Sequence, residues 1–542
     1  MSLDKAENKK GWAQIKPYAY EALLYVSVFL LTFVLFILVR PFVKYANSSW
    51  LAHSIPILTL VAGIAFISYM GATKQLKTRH IVVALLIFGY ALRIGYTLAS
   101  PATAHQHDVF TSYFDGHEAY AWTLFETGDM PVTNDYQMYH PPLNAMVQAG
   151  FMHIMQGVAA LMPGLVDGFS LGLPKYLTPE RYYLYTSCQI LSVTWSFIVS
   201  VTSLKILKTF RFSEKTYIIL AAIVVLYPRN IQFATMLNND GIAYMFMMAS
   251  LLFALRWWKQ KSFAYILPCG VCVGLGMMAK LSAATICAPI AGIFIYEFVC
   301  TLRKKEGSLS LKQMVLQYGA FLAVCAPIGL WFQIYANLRF NQSFGHVFSN
   351  LTQKLYTGDK SLFERFVVAF DFSEYFGSLY CRSYDNYNLF NFALRSSVFG
   401  EHSYKRGHIF GAFAVIFAYM VAIFLVILLI YCLISWIKKR KSAELSVEQN
   451  PSITFKEFLF TALLIASQVL SEIYFYIKMP YGCTMDFRYI MPLILGIALT
   501  IGFVQNVLTA SKSKIALTFS RVLTFAVIGF LANGVLFYCV CI

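Results

Sequence analysis

Residues 409–436 read IFGAFAVIFAYMVAIFLVILLIYCLISW, a stretch of 28 residues without a formal charge. A helix of about 20 apolar residues is long enough to cross a bilayer core about 30 Å thick. Comparable stretches that are nearly free of charge lie at 18–39, 81–100 and 315–331. The stretch at 18–39 is too long for the apolar core of a signal peptide, so we expect a permanent span there. The sequence therefore predicts a protein that crosses a membrane many times.

Composition agrees with this class. Of the 542 residues, 58% are hydrophobic and only 13% are charged, whereas soluble domains carry about 25% charged residues. We predict an all-α polytopic membrane protein with about 13 transmembrane helices, built as a single domain over residues 1–542. The spans are expected to begin near Tyr18, Ser54, Ile81, Tyr185, Thr216, Gly241, Ala264, Ser282, Val315, Ile409, Phe458, Tyr489 and Val522.

The charges predict an orientation. The chain has a formal net charge of +17, and its Lys and Arg clusters fall on connections that share one side if the spans alternate. These clusters lie at 5–16, 74–79, 205–215, 256–261, 303–312, 438–456 and 512–521. Short basic loops are typical of the cytoplasmic face, so we expect a multi-pass plasma-membrane protein with a cytoplasmic N-terminus. The lipid bilayer is thus an expected partner, and nothing in the basic clusters indicates nucleic acid.

Two long segments are expected on the outer face. The first, 101–183, contains YHPPL at 139–143 and then an amphipathic stretch, 144–162, which predicts an interfacial helix. The second, 337–408, follows the ninth span, and short helices are expected near Asp371 and Glu374. Cys381 and Cys483 are also expected on the outer face, where either a disulfide or two free thiols are compatible with the sequence. The cytoplasmic loops are too short for a catalytic domain, so any chemistry is expected outside.

The first outer loop holds the densest group of ionisable residues, HQHD at 105–108 and DGHE at 115–118. If this loop were helical, Asp108, Asp115 and Glu118 would share one face, because spacings of 7 and 3 match the helical repeat. Ionisable groups at the ends of apolar spans are often functional. A carboxylate beside histidines can serve as a general base, although a solvated or helix-capping loop is the alternative for each acid.

Four further motifs place polar residues at span ends or in the first outer loop. Asp240, in LNNDG, either caps a helix or closes over the cavity of Asp108. Lys280, in MAKLS, either binds an anion or extends to the lipid headgroups. Arg488, in DFRYIMP, either binds a phosphate or pairs with the nearby Asp486. His140, in YHPPL, contacts a phosphate or a metal, or has a structural role only.

Taken in order, these motifs resemble those of the glycosyltransferase-C superfamily, and within it the protein O-mannosyltransferase and aminoarabinose transferase branch. The resemblance spans roughly residues 106–492 and rests on ETGDMP at 126–131, YHPPL, NNDG, AKLSA and DFRYIMP. Members of that branch carry an Asp-Glu pair in the first outer loop, where this chain has His107-Asp108. This departure leaves the identity of the general base open between Asp108 and Asp115, and Asp108 is preferred because it lies in the first outer loop directly after a span.

The resemblance implies an inverting glycosyltransferase that moves a sugar from a polyprenyl-phosphate-linked donor to an acceptor at the outer face. The sugar and the acceptor remain open, no cofactor is certain, and a divalent cation is possible. The expected catalytic residues are Asp108, Asp240 and Asp115, and the expected donor-phosphate ligands are Lys280, Arg488 and His140. The expected substrate contacts are His107, His117, Glu118, Tyr139 and Tyr489.

Two other functional classes compete with this hypothesis. A multi-span transporter or lipid flippase is the main alternative, but the spans show no two-half repeat and few charges at mid-membrane. A scaffold without chemistry would leave the outer His and Asp residues unexplained. One outer cavity lined by Asp108, Asp240, Lys280 and Arg488 would favour the transferase.

Overall fold

The computed structural model describes residues 2–45, 50–346, 355–367, 387–402, 404, 406–442, 454–511 and 513–541. Within these ranges the regular secondary structure is helical, apart from an isolated bridge between Tyr356 and Tyr481. The α-helices, in chain order, are α1 Ser2–Tyr45, α2 Trp50–Ala72, α3 Thr78–Ala99, α4 His117–Thr127, α5 Leu143–Leu161, α6 Gly164–Gly168, α7 Pro179–Ser187, α8 Gln189–Leu207, α9 Glu214–Leu226, α10 Pro228–Phe233, α11 Asp240–Gln260, α12 Phe263–Ala279, α13 Cys287–Leu302, α14 Leu311–Phe340, α15 Leu362–Phe366, α16 Leu389–Phe399, α17 His408–Ser442, α18 Phe455–Lys478, α19 Leu493–Ala510 and α20 Lys514–Cys541. Short 3-10 helices lie at Tyr136–Tyr139, Leu281–Ile286, Gly482–Met485 and Phe487–Ile490.

The predicted all-α polytopic membrane fold is confirmed. In the described part of the chain, 11 helical segments are long and apolar enough to cross a membrane. The spans expected near Thr216 and Ala264 are shorter helices, α9 with 13 residues and α12 with 17. At about 1.5 Å per residue, α9 alone is about 20 Å long and does not match a bilayer core of about 30 Å. The expected count of about 13 is thus not confirmed by helix length.

The short helix α9 runs beside α3 and brings the chain to the level of the first outer loop. Near the starts of the two helices, Thr78 Oγ1 donates a hydrogen bond of 2.6 Å to Glu214. Near the end of α9, Arg93 from α3 donates a hydrogen bond of 2.8 Å to the Val225 carbonyl. Pro228 then begins α10, at a position where its missing N–H costs no helical hydrogen bond. This arrangement places α10 beside the site described below.

Helices α11 and α12 form an antiparallel pair whose site end carries Asp240 and Lys280. The opposite end of the pair is fixed by Lys261, whose amine donates a hydrogen bond of 2.6 Å to the Gly307 carbonyl. Helix α12 packs closely on α14 at Gly274, where an added Cβ would lie 2.8 Å from the Ile328 Cβ. This close contact sets the position of α12, and with it the position of Lys280.

The first outer loop is not a helix where the acids were expected to share a face. Residues 101–116 form turns, and His105, Asp108 and Phe114 adopt positive φ angles of 57°, 52° and 57°. Helix α4 begins only at His117, so the expectation of a common helical face was wrong. The helix expected over 144–162 is confirmed as α5, Leu143–Leu161, and its interfacial position stays a prediction.

The second outer segment contributes α15 and α16 to the described part of the chain. Asp371, Glu374 and Cys381 lie outside the described residues. The expectation of short helices near the two acids therefore stays a prediction, and for Cys381 and Cys483 a disulfide and two free thiols both stay open.

Replacing Gly274 by Val is expected to destabilise the protein by about 1–3 kcal/mol, because the added atoms overpack the contact between α12 and α14. Gly319, on the exposed face of α14, has nothing within 4 Å of an added Cβ, so Gly319→Val is the matched control. Thermal unfolding in detergent compares the two variants. Equal melting temperatures for both would contradict the close packing of α12.

Candidate active site

The centre of the site is Asp240, a carboxylate shared by two cations. Lys280 Nζ donates a hydrogen bond to Asp240 Oδ1. Arg488 Nη1 lies 3.7 Å from the other oxygen, which also accepts a hydrogen bond of 2.9 Å from the Asn238 side chain. Asp240 is only 5% exposed. Within this group of three side chains, two cations face one carboxylate, an arrangement that suits the binding of an anion, and the carboxylates of Glu401 and Asp486 also act on Arg488.

Tyr489 completes this group. Its hydroxyl accepts a hydrogen bond of 2.8 Å from Arg488 Nη2, and Lys280 Nζ lies 4.7 Å from the centre of its ring, within the range of a cation–π contact. The Nε atom of Arg488 is buried and has no hydrogen-bond partner among the described residues. The structure thus brings Asp240, Lys280, Arg488 and Tyr489 together, and leaves one guanidinium donor for a ligand.

Two histidines from the first outer loop lie beside this group. The rings of His117 and His140 stack with centroids 5.6 Å apart and an interplanar angle of 14°, and Tyr139 packs on His140 at 4.1 Å. Burial lowers the pKa of His117 to about 4, although the carboxylates of Asp108 and Asp240 both oppose this shift. His117 is therefore neutral near pH 7 and can exchange hydrogen bonds with a ligand without adding charge.

Asp108 lies at the open side of the site. Its side chain is exposed, and its one hydrogen bond among the described residues comes from the Tyr136 hydroxyl at 3.0 Å. It also lines a pocket of about 330 Å³ together with Gln106, Phe110 and Tyr176. Asp108 therefore has carboxylate capacity left for a further proton donor, which distinguishes it from Asp240.

The other two acids of this loop are already engaged. Asp115 accepts a hydrogen bond of 2.6 Å from the Thr111 hydroxyl. Glu118 accepts two hydrogen bonds from the Arg181 guanidinium, at 2.6 and 2.9 Å, and this guanidinium also stacks over Trp122 at 4.7 Å. These partners give both acids a structural duty within the loop, and their expected catalytic and substrate contacts stay predictions.

A second group of ionisable side chains lies buried behind the first. His107 Nδ1 is 2.7 Å from Glu401 Oε1, and His107 Nε2 is 3.5 Å from Asp486 Oδ2. Arg229 Nη2 donates to both oxygens of Asp486, at 2.8 and 2.9 Å. Burial lowers the pKa of His107 well below its usual value, and the cations Arg488 and Arg229 lower it further. The imidazole is thus neutral, and its Nδ1 atom shares a hydrogen bond with the Glu401 carboxyl group.

This second group changes two expectations. Asp486 pairs with Arg229 rather than with the Arg488 side chain, although it accepts a hydrogen bond of 3.0 Å from the Arg488 backbone N–H. His107 is 3% exposed and held by protein partners, and its expected substrate contact stays a prediction. Arg229 and Glu401 were missed from the sequence. The position of Arg229 directly after Pro228 at a span end was a usable signal, whereas Glu401 had none.

The ligand atoms of His107, Glu401 and Asp486 lie within 4.8 Å of one another, a spacing and donor set compatible with a metal ion. However, Arg229 Nη2 also lies 3.4 Å from His107 Nε2. This guanidinium would repel a metal ion at the site, whereas the carboxylates of Glu401 and Asp486 would attract it. The guanidinium already acts as the cation of this group. The divalent cation expected from the sequence stays a prediction.

Comparison with known proteins links three of these residues to one family. Residues 186–331 match the model of the dolichyl-phosphate-mannose-protein mannosyltransferase family, and this segment contains Arg229, Asp240 and Lys280. No curated protein sequence matches the chain. Among solved structures, the crystal structure of ArnT from Cupriavidus metallidurans bound to undecaprenyl phosphate aligns with a TM-score of 0.32 and 13% identity, over 79% of this chain and 78% of that chain.

The family match covers the middle of the chain, from α7 to α14, and the ends of two of its helices, α11 and α12, carry Asp240 and Lys280. The resemblance inferred from the motifs of the sequence is thereby confirmed. The chain is a multi-pass membrane glycosyltransferase of the lipid-linked-sugar type, similar in this segment to the dolichyl-phosphate-mannose-protein mannosyltransferases.

Proposed function

We propose that the protein is an inverting glycosyltransferase that takes its sugar from a polyprenyl-phosphate donor and acts on the outer face of the membrane. One observation carries this proposal. Two cations, Lys280 and Arg488, converge on the single carboxylate of Asp240, and an exposed carboxylate, Asp108, lies within electrostatic range of Lys280. A fixed pair of cations opposite an accessible base is what displacement of a sugar from a phosphate requires.

Lys280 and Arg488 are proposed to bind the donor phosphate. The Lys280 amine lies between Asp240 and the face of Tyr489, and Arg488 keeps Nε unpartnered within the described residues. Charged hydrogen bonds of this kind are short and strong. Since Asp240 is occupied by these cations and by Asn238, its proposed role is to orient the phosphate ligands, and His140 supports the same site.

Asp108 is proposed to be the general base. It takes the proton of an acceptor hydroxyl while the hydroxyl oxygen attacks C1 of the sugar, and the bond from C1 to the phosphate oxygen breaks. The polyprenyl phosphate leaves with the bonding electron pair, and Lys280 and Arg488 stabilise the negative charge that develops on it. Attack opposite the leaving phosphate inverts the configuration at C1.

The pocket beside Asp108 gives the acceptor a route to this base. Its described lining contains Gln106, Phe110 and Tyr176, with Asp108 as the charged member. In the proposed inverting transfer, an acceptor hydroxyl held in this pocket attacks C1 from the side opposite the donor phosphate at Lys280. The panel of substrates described below tests the identities of the sugar and the acceptor.

Asp108→Asn keeps the shape of the side chain and removes the proton acceptor, so we expect turnover to fall by about a hundred- to ten-thousand-fold. Purified enzyme is incubated with a panel of polyprenyl-phosphate sugars, and sugar release or transfer is measured. Asp115→Asn is the matched control and should lose less activity, because Asp115 is bound to Thr111. Near wild-type turnover of Asp108→Asn, combined with an inactive Asp115→Asn, would assign the base to Asp115.

Lys280→Ala and Arg488→Ala are each expected to weaken binding of undecaprenyl phosphate by about ten- to a hundred-fold, since a hydrogen bond to a charged group contributes about 1.5–3 kcal/mol. Lys259, an exposed cation at the opposite end of α11, supplies the control variant Lys259→Ala, which should bind normally. Binding is measured on monodisperse protein in detergent. Unchanged affinity in both site variants would remove these cations from the donor site.

The proposed outer location predicts labelling from one side only. Tyr113, in the first outer loop, is 85% exposed, and Gly307 lies in a loop at the opposite end of α12. A membrane-impermeant thiol reagent applied outside intact cells should modify Tyr113→Cys and not Gly307→Cys, relative to the parent protein. The reverse pattern would invert the topology and refute an outer site.

A further inference from the structure

Arg229 and Glu401 take no part in the proposed reaction. Each of them, however, contacts a side chain that lies close to the proposed base or to a proposed phosphate ligand. We infer that they are positioning residues, which fix Asp108 and Arg488 relative to each other through His107 and Asp486. This inference rests on the proposed function. The four side chains, Arg229, Glu401, His107 and Asp486, are called the buried network below.

The first half of the buried network holds the base. Glu401 Oε1 lies 2.7 Å from His107 Nδ1, and His107 directly precedes Asp108. Asp108 has a φ of 52°, a backbone region that side chains other than Gly rarely adopt and that persists only where the surroundings hold it. On its other side, the Asp108 carbonyl accepts a hydrogen bond of 2.9 Å from His117 N–H. The position of Asp108 is thus fixed by His107 on one side and by the hydrogen bond from His117 on the other.

The second half holds the phosphate cation. Arg229 Nη2 donates to both oxygens of Asp486, and Asp486 Oδ1 accepts the backbone N–H of Arg488. This last bond caps the 3-10 turn Phe487–Ile490. The turn therefore directs the Arg488 side chain towards Asp240. Arg229 fixes the position of the carboxylate that caps this turn.

The two halves are joined at His107. Its Nε2 lies 3.5 Å from Asp486 Oδ2 and 3.4 Å from Arg229 Nη2. The same Nε2 atom lies 3.1 Å from His402 Nε2, so the two halves and His402 meet at this ring nitrogen. A shift of either half would therefore change the distance between the base and the phosphate cation.

The absence of a side chain at Gly400 makes this arrangement sterically possible. Its φ is 66°, and an added Cβ would collide with Arg229 Nη1. Gly400 directly precedes Glu401, so the segment that supplies Glu401 folds against the guanidinium of Arg229. Gly400→Ala consequently displaces the same guanidinium without altering any charge.

The Glu401 half is tested by turnover with a polyprenyl-phosphate sugar. Glu401→Ala should lower kcat by about a hundred-fold, the loss typical of a displacement of about 1 Å at a reacting group. Its affinity for undecaprenyl phosphate should be unchanged, because the Arg488 half remains intact. Glu401→Gln keeps an acceptor oxygen for His107 and should retain turnover within a few-fold of wild type. Wild-type kcat in Glu401→Ala would overturn the inference.

A double-mutant cycle separates positioning from general loss of structure. If Glu401 acts through Asp108, Glu401→Ala should cause no further loss in an Asp108→Asn background. The same hundred-fold loss in both backgrounds would show that Glu401 does not act on the base.

The Arg229 half is tested by binding of undecaprenyl phosphate. Arg229→Gln should weaken binding about tenfold, and Gly400→Ala should do the same if Arg229→Gln does not yield monodisperse protein. The control is Arg93→Gln, a second fully buried arginine whose partners are Ser196, Ser200 and backbone carbonyls. Wild-type affinity in the Arg229→Gln and Gly400→Ala variants would overturn the inference. A wild-type protein that binds no undecaprenyl phosphate would instead refute the proposed function itself.

Elemental analysis of the purified protein tests whether the cation of the buried network is the Arg229 guanidinium or a metal ion. The buried network needs no metal ion, so we expect less than stoichiometric zinc or manganese after dialysis. A stoichiometric metal in the wild type that is lost in Glu401→Ala would overturn the network and assign His107, Glu401 and Asp486 as metal ligands.

Discussion

The carboxylate of Asp240 lets two cations sit side by side in a buried site at the end of the membrane spans. Lys280 and Arg488 come from distant parts of the chain and would repel each other without it. Because charges are costly to bury unless they are paired, this shared carboxylate fixes where three segments meet, namely the start of α11, the end of α12 and the turn that precedes α19. Two cations beside one carboxylate support the proposed binding of a phosphate at this point.

The membrane explains why the site is built from span ends. Helices α11 and α12 place Asp240 and Lys280 at one height, and α9 with α10 brings Arg229 to the same level. A donor anchored in the bilayer has its phosphate confined to that level, so the helices supply much of the alignment that a soluble enzyme would need a closing lid to provide. In the proposed mechanism, the exposed Asp108 faces the aqueous side, where the acceptor arrives.

Much of this arrangement could be predicted from the sequence, because apolar runs of about 20 residues have few alternatives to spanning helices. Asp240, Lys280 and Arg488 each lie beside such a run, so their convergence at one surface was foreseeable. The turns of residues 101–116 were not, since positive φ angles fall on His105, Asp108 and Phe114, which carry no glycine signal. The ion pair of Arg229 with Asp486 joins residues 257 positions apart, and that of His107 with Glu401 joins residues 294 apart, distances at which local patterns hold no information.

The most direct test of the central claim is a structure of the protein with bound undecaprenyl phosphate, determined by electron cryo-microscopy in a lipid nanodisc. The phosphate should lie within hydrogen-bonding distance, about 3 Å, of both Lys280 Nζ and the Arg488 guanidinium, on the side that faces Asp108. A phosphate bound elsewhere, for example at the basic mouth of the groove near Arg303 and Lys305 between α13 and α18, would contradict it.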